Sequence, residues 1–495
     1  MRLILFLIAL IGLRDTHAQV MISGQILPAK PGRSLVLNVP FDCWLYEPNS
    51  QEIVSDSQGR FFVQLAVRQP QIIFLTYAGK RLYLYVEPGK KLSIQSDDSL
   101  KTIRFGGSLG KQNQFRQQLG LTFAALGKPT WNDSLSKPDQ ILADLQKAQQ
   151  SARLKLKRTP FKPSPAFLRM IQADVNYFAA STLWDLIWRN GVWTQANKSR
   201  YGRDEWRQAL KQAHQAITLS NAEALTSYHY QIVIAYYPRY LQHLAATKDE
   251  FGLIAEAIFK KPFAQINQEV RQKGERYWTY SALNYGLTGH SLERAIASFL
   301  TNGIYQGDLA YQQEAYQDFM NRFPDSPYRP YVQEVMKPYL ISLAKTKTDL
   351  VDVHFVPNSQ QILTVDSLVA AHRGRVIYVD MWGTWCGPCR QEFSFNQALK
   401  DRFKGKPVDF VYIAVEHSPN PEKHWQKTVA FYGLTGYHIL AGKELEQNLR
   451  KLYAQNDTLQ FPSYILVDKS GKIVTLHGKR PSDKAALYEQ IEQLL

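Results

Sequence analysis

Trp385-Cys386-Gly387-Pro388-Cys389 constrains the fold of this chain more than any other segment, because it stands where an apolar run, Val376 to Val379, gives way to a helical pattern from Cys389 to Phe403. Two thiols two residues apart at a helix N-terminus can close a small disulfide ring. The unpaired N–H groups and the dipole of that helix end stabilise the first sulfur as a thiolate. Cys386 is therefore expected to be the exposed attacking sulfur and Cys389, one turn inward, the resolving one. Gly387 and Pro388 tune thiolate stability, and Pro388 is tolerated in the first turn because no N–H is needed there. A zinc site would require two more ligands. The remaining cysteine, Cys43, lies far off among expected strands and reads as a buried, inert thiol, and no histidine pair stands near Cys386 at ligand spacing. Neither a metal nor a cofactor is expected. A purely structural disulfide is disfavoured because so short a loop constrains the unfolded chain little.

At 495 residues with three cysteines, the chain is too long for one compact domain and too poor in cysteine for a disulfide-stapled scaffold. Its first eighteen residues set the compartment. A basic start, an apolar run from Leu3 to Leu13 and a small-residue ending at Ala18 form a signal peptide over 1–18, with cleavage after Ala18. No stretch approaches the roughly 20 apolar residues that a transmembrane helix needs, so an exported protein without a membrane span is expected. Residues 19–106 read as an all-β domain, most simply a sandwich: Phe62 to Val67, Ile72 to Tyr77 and Leu82 to Val86 are rich in aromatic and branched residues and are punctuated by Gly and Pro turns. Residues 107–350 change period. Ser164-Pro165 caps a helix in which Phe167, Ile171, Val175 and Phe178 recur at three-to-four spacing, and similar stretches, such as 262–285, follow up to residue 345. Residues 351–495 alternate strands and helices, an α/β layer structure.

The run Val376 to Phe393, VIYVDMWGTWCGPCRQEF, together with the order of elements after it, resembles the thioredoxin fold, and within it the exported TlpA/ResA type of thiol-disulfide oxidoreductase. The β-plus-helical front resembles multi-domain exported proteins of the Bacteroidota. The resemblance implies several roles. Asp380, six residues before Cys386 in the apolar strand, would handle the proton of Cys389, and burying such an acid calls for a use in any case. Glu392, three residues after Cys389 and on the same helix face, matches the family's acid beside the cysteines. Pro462 falls where the fold keeps a cis proline facing the disulfide, and the Phe461 backbone would pair with a bound substrate segment. The family usually carries a smaller residue than Phe461 there, which narrows the partners that can dock. Trp385 would flank the attacking sulfur, with Trp382 packed below as core.

A net charge of +16 raises nucleic acid or an anionic surface as partners. The bases are interleaved with acids, however, and no basic block or nucleic-acid-reading motif is present, so no nucleic acid is expected. The reading is a periplasmic thiol-disulfide oxidoreductase acting on disulfide-containing exported proteins and, by resemblance, recharged by an inner-membrane thiol-electron donor. Gly387-Pro388 is the dipeptide of thioredoxin, whose potential lies near about −270 mV. Asp380 and Glu392 also oppose thiolate formation, so the expected direction is reduction. Two alternatives remain: a cell-envelope binding or scaffold protein in which the redox pair is secondary, and a thiol peroxidase on the same fold.

Overall fold

A computed structural model describes residues 19–29, 34–46, 49–121, 137–193, 202–344, 350–416, 421–454 and 459–495. The expected signal peptide, residues 1–18, lies outside the described residues. Two compact units are present, one comprising residues up to Ile254 with Gly286–Leu292, the other Ala255–Tyr285 with Glu293–Leu495.

The N-terminal strands are β1 (Gln19–Leu27), β2 (Ser34–Asn38), β3 (Ser50–Val54), β4 (Arg60–Ala66), β5 (Gln71–Tyr77), β6 (Lys80–Val86), β7 (Lys91–Asp97) and β8 (Ile103–Gly106). They form two four-stranded sheets, ordered β4-β1-β7-β8 and β3-β2-β5-β6. Period-two patterning places the strands: β4 buries Phe61, Val63 and Leu65 and turns the residues between them outward. Cys43 is buried and lies outside the described disulfide. The outer edge of β6 is covered by the next helix, α1 (Gly110–Leu119), whose Asn113 accepts from Tyr85 N (2.8 Å) and donates to Tyr85 O (2.9 Å). An edge strand is thereby satisfied without a further strand.

Helices then run α2 (Pro138–Lys157), α3 (Pro165–Arg189), α4 (Arg203–Gln215), α5 (Tyr228–Leu244), α6 (Lys248–Phe259), α7 (Phe263–Lys273), α8 (Glu275–Gly286), α9 (Gly289–Gln306), α10 (Gln312–Arg322) and α11 (Arg329–Ala344). Ser164 caps α3, its hydroxyl accepting from Phe167 N at 3.2 Å. The single stretch expected over 262–285 is two helices, because Gly274 adopts φ +89° and breaks the ladder. No expectation covered α6, although Thr247 Oγ1 accepting from Glu250 N (3.2 Å) is a readable start signal.

The C-terminal elements are β9 (Val353–Phe355), α12 (Val365–Ala370), β10 (Val376–Trp382), α13 (Gly387–Glu392), α14 (Asn396–Phe403), β11 (Val408–Ala414), α15 (Pro421–Tyr432), β12 (Gly436–Leu440), α16 (Lys443–Ala454), β13 (Ser463–Val467), β14 (Ile473–Thr475) and α17 (Ala485–Glu492). The six strands order as β14-β13-β10-β11-β12-β9. β10 is parallel to β11 and antiparallel to β13. Every residue of β10 is buried, as expected for a strand covered on both faces. Ile377, Val379 and Met381 pack with α12 and α16. On the other face Val376 and Tyr378 meet Leu399, Phe403, Leu487 and Ile491, while Trp382 joins the two cysteines, Phe393 and Trp425. Each fully buried aliphatic chain contributes about 1.5–3 kcal/mol, so this core can absorb one misfit polar group. Asp380 is such a group.

Candidate functional site

Cys386 and Cys389 are joined by a disulfide, with Cα atoms 5.3 Å apart. Cys386 is the N-cap of α13, its sulfur accepting from Cys389 N at 3.2 Å. One of the orphan N–H groups of the helix end is therefore aimed at the sulfur that would carry negative charge after reduction. Pro388 occupies the first turn, and a Cβ on Gly387 would meet nothing within 4 Å.

The expectation of an exposed Cys386 is corrected. Its surface is 4% open, against 1% for Cys389. The cause is apolar cover: both cysteines belong to the cluster of Trp382, Phe393 and Trp425, and Phe461 packs against it. Trp385 is itself 49% exposed and meets Phe461 edge to face at 5.2 Å between centroids. The bond joining Phe461 to Pro462 is cis. Trp382, read as core, is fully buried.

The loop before Cys386 is held from several sides. Glu416 accepts from Thr384 N (2.5 Å) and Thr384 Oγ1 (2.6 Å), and Trp385 Nε1 donates to Val415 O at 2.8 Å. Arg390, buried in α13, donates to Thr384 O and to Gln306 O at the end of α9. A Cβ on Gly383 would stand 2.4 Å from Trp385 Nε1 and 2.8 Å from Val415 O, so only glycine fits there.

Asp380 lies on the same face of β10 as Tyr378 and Trp382, 2% exposed, and neither carboxyl oxygen has a hydrogen-bond partner among the described residues. Burial first, and then the charge of Glu392, push its acidity well below that of an ordinary carboxyl, with Lys400 opposing. Lys400, on α14, places Nζ 4.8 Å from the centroid of the Tyr412 ring and donates to Thr435 Oγ1 at 2.9 Å. Burial brings its pKa down to about 7 against the pull of Asp380. Tyr412 and Tyr464 are the register neighbours of Asp380 on β11 and β13. Glu392, 7% exposed, accepts from Ser482 through both oxygens.

The structure thus brings Cys386, Cys389, Trp385 and Phe461 to one face of the C-terminal end of β10, with Asp380 and Glu392 behind them. Sequence reasoning missed Lys400, Thr384, Arg390, Glu416 and Ser482. Of these, Glu416 carried a usable signal: it follows the carboxyl end of a central parallel strand, where sites on open α/β sheets collect.

Residues 356–491 match the model of the Redoxin family. This domain belongs to that family. Among curated proteins, the Redoxin domain is similar to the thiol-disulfide oxidoreductase ResA of Bacillus thuringiensis (strain Al Hakam), 26% identical over 102 residues, which are 21% of this chain and 54% of that protein. It is also similar to ResA of Halalkalibacterium halodurans, 29% identical over 104 residues, again 21% of this chain and 54% of the relative. The chain therefore spans about half the length of these curated relatives. Among solved structures, the thioredoxin domain of a thiol-disulfide oxidoreductase from Bacteroides vulgatus is 23% identical, with 25% of this chain and 81% of that chain covered and a TM-score of 0.21. No helix among the described residues is long and apolar enough to cross a membrane.

Proposed function

We propose that the chain is an exported thiol-disulfide oxidoreductase that reduces disulfides in periplasmic proteins through Cys386 and Cys389. In this reading residues 1–18 are a cleaved signal peptide, 19–106 a β-sandwich domain, 107–350 a helical domain and 351–495 the redox domain. The observation that carries it is the N-cap geometry of Cys386, whose sulfur accepts the Cys389 N–H and is bonded to the Cys389 sulfur.

In the dithiol form the Cys386 thiolate attacks one sulfur of a partner disulfide, and the partner's other sulfur leaves as a thiolate. Cys389 then loses its proton to the Asp380 carboxylate, which burial makes a stronger base, and attacks Cys386 Sγ. The mixed disulfide breaks, the partner leaves fully reduced, and the two electrons it gained leave Cys386 and Cys389 joined. An inner-membrane thiol donor returns the pair to the dithiol. Trp385 and Phe461 form the face on which the partner docks, with the Phe461 backbone pairing to it.

The test is reduction of insulin by the full chain and by Cys386→Ser. Wild type should exchange and the variant should not; equal rates would leave the scaffold reading, in which the redox pair is secondary. Cys389→Ser should hold partners covalently on Cys386 and so reveal the substrate class. The potential of the couple should lie below about −180 mV, and a higher value would reverse the assigned direction.

A further inference from the structure

The carboxylate of Glu392 is gripped by a turn ninety residues further along the chain. Ser482, in the 3-10 turn Pro481–Asp483, donates its backbone N–H to Oε2 (3.0 Å) and its hydroxyl to Oε1 (3.0 Å). Arg480 Nη1 lies 3.9 Å from Oε1. The turn is itself braced, Arg480 N donating to Asp483 Oδ2 at 2.9 Å. A glutamate on a helix surface ordinarily turns freely through three rotatable bonds. Here both oxygens are fixed by one residue, and the side chain, on the last residue of the cysteine helix, is buried. This fixed charge reaches Asp380, which has no hydrogen-bond partner among the described residues. Asp380 is faced by Glu392 from α13, Lys400 from α14, Tyr412 from β11 and Tyr464 from β13, with Tyr378 on its own strand.

Resting on the exchange reaction proposed above, we infer that Ser482, with Arg480 behind it, is a positioning residue for Glu392, holding that carboxylate where its charge governs proton transfer between Cys389 and Asp380. The step concerned is resolution of the mixed disulfide. The Cys389 proton passes to the Asp380 carboxylate, the Cys389–Cys386 bond forms, the bond from Cys386 Sγ to the partner breaks, and the departing partner thiolate takes up a proton. A freely turning Glu392 would spread its field over many orientations, and the pH at which Asp380 exchanges its proton would move.

The experiment is the pH–rate profile of insulin reduction by the full chain in four forms: wild type, Glu392→Gln, Ser482→Ala and the double variant. Glu392→Gln should shift the midpoint. Ser482→Ala should shift it in the same direction and change the rate at pH 7 by about two- to tenfold, the worth of one hydrogen bond. In the Glu392→Gln background Ser482→Ala should change nothing further, the mark of two groups acting as one. Ser482→Thr, which keeps both donors, should restore the wild-type profile. If Ser482→Ala does not fold, Arg480→Ala, at a 54% exposed side chain, should give a smaller shift that also vanishes beside Glu392→Gln. An unmoved profile in the Ser482 variant while Glu392→Gln moves it, or an equal effect in both backgrounds, overturns the inference. A wild type without exchange activity would instead overturn the reading on which it rests.

Discussion

Asp380 is the residue on which stability and chemistry pull in opposite directions. Its acidity is weakened by burial, so the folded protein keeps this proton at pH values where the unfolded chain, with an ordinary value near 3.8, has released it. The folded state then binds more protons than the unfolded state, and stability falls as pH rises through and beyond that value. Asp380→Asn, of nearly the same shape, removes the titration. The variant should match wild type near pH 3.5 and exceed it in stability at pH 7. Urea denaturation at several pH values measures this, and a pH-independent difference would mean that Asp380 ionises normally in the fold. The same variant should slow disulfide exchange, since an amide cannot take up the Cys389 proton. An acid inside an apolar strand announces itself in sequence. Its counterpart Lys400 does not: it is one of two bases on α14, and only the fold brings it over Tyr412.

At the scale of elements, the handover from β10 to α13 was legible because everything that defines it is local: an apolar strand, a glycine, a proline and two cysteines. The helix expected from Cys389 to Phe403 is instead α13, a 3-10 turn over Phe393–Phe395 and α14. Ser394 Oγ donates back to Gln391 O at 2.8 Å, a competing bond of the sort that bends helices. β12 and α16 went unread, the first because five residues give too short an alternation to stand out. The aromatic pair of Trp385 and Phe461 spans two elements and shapes what can reach the disulfide. Phe461→Ala should reduce protein disulfides about two- to tenfold more slowly, in keeping with an aromatic contact worth about 0.5–1.5 kcal/mol, while reduction of oxidised glutathione should hold or rise. Steady-state rates on the two substrates separate the effects, and an equal fall on both would assign Phe461 to stability alone.

At the scale of the whole molecule, helical segments and the redox domain share one compact unit. Gln306 O receives Arg390, Tyr339 of α11 lies 6.2 Å from Phe431 of α15, and Gly307, at φ +65°, leaves no room for a side chain: a Cβ would stand 2.0 Å from Tyr432 Oη and 2.6 Å from Arg390 Cδ. Gly307→Ala should destabilise that unit by about 1 kcal/mol or more. Hydrogen exchange should quicken in α13 and α15, although the substitution lies far from both in sequence, and unchanged protection there would refute the coupling. None of this was legible beforehand, because period and spacing report what an element is and not which distant carbonyl an arginine will find. The sheet order supplies a last consequence. The cysteines hang from β10, with two strands on one side of it and three on the other, and the inner strands of a sheet are among the last parts of a protein to open. Mild heat or denaturant should therefore melt β14 and β9 first, so a damaged copy of this protein would stay chemically competent after it had begun to come apart at its margins.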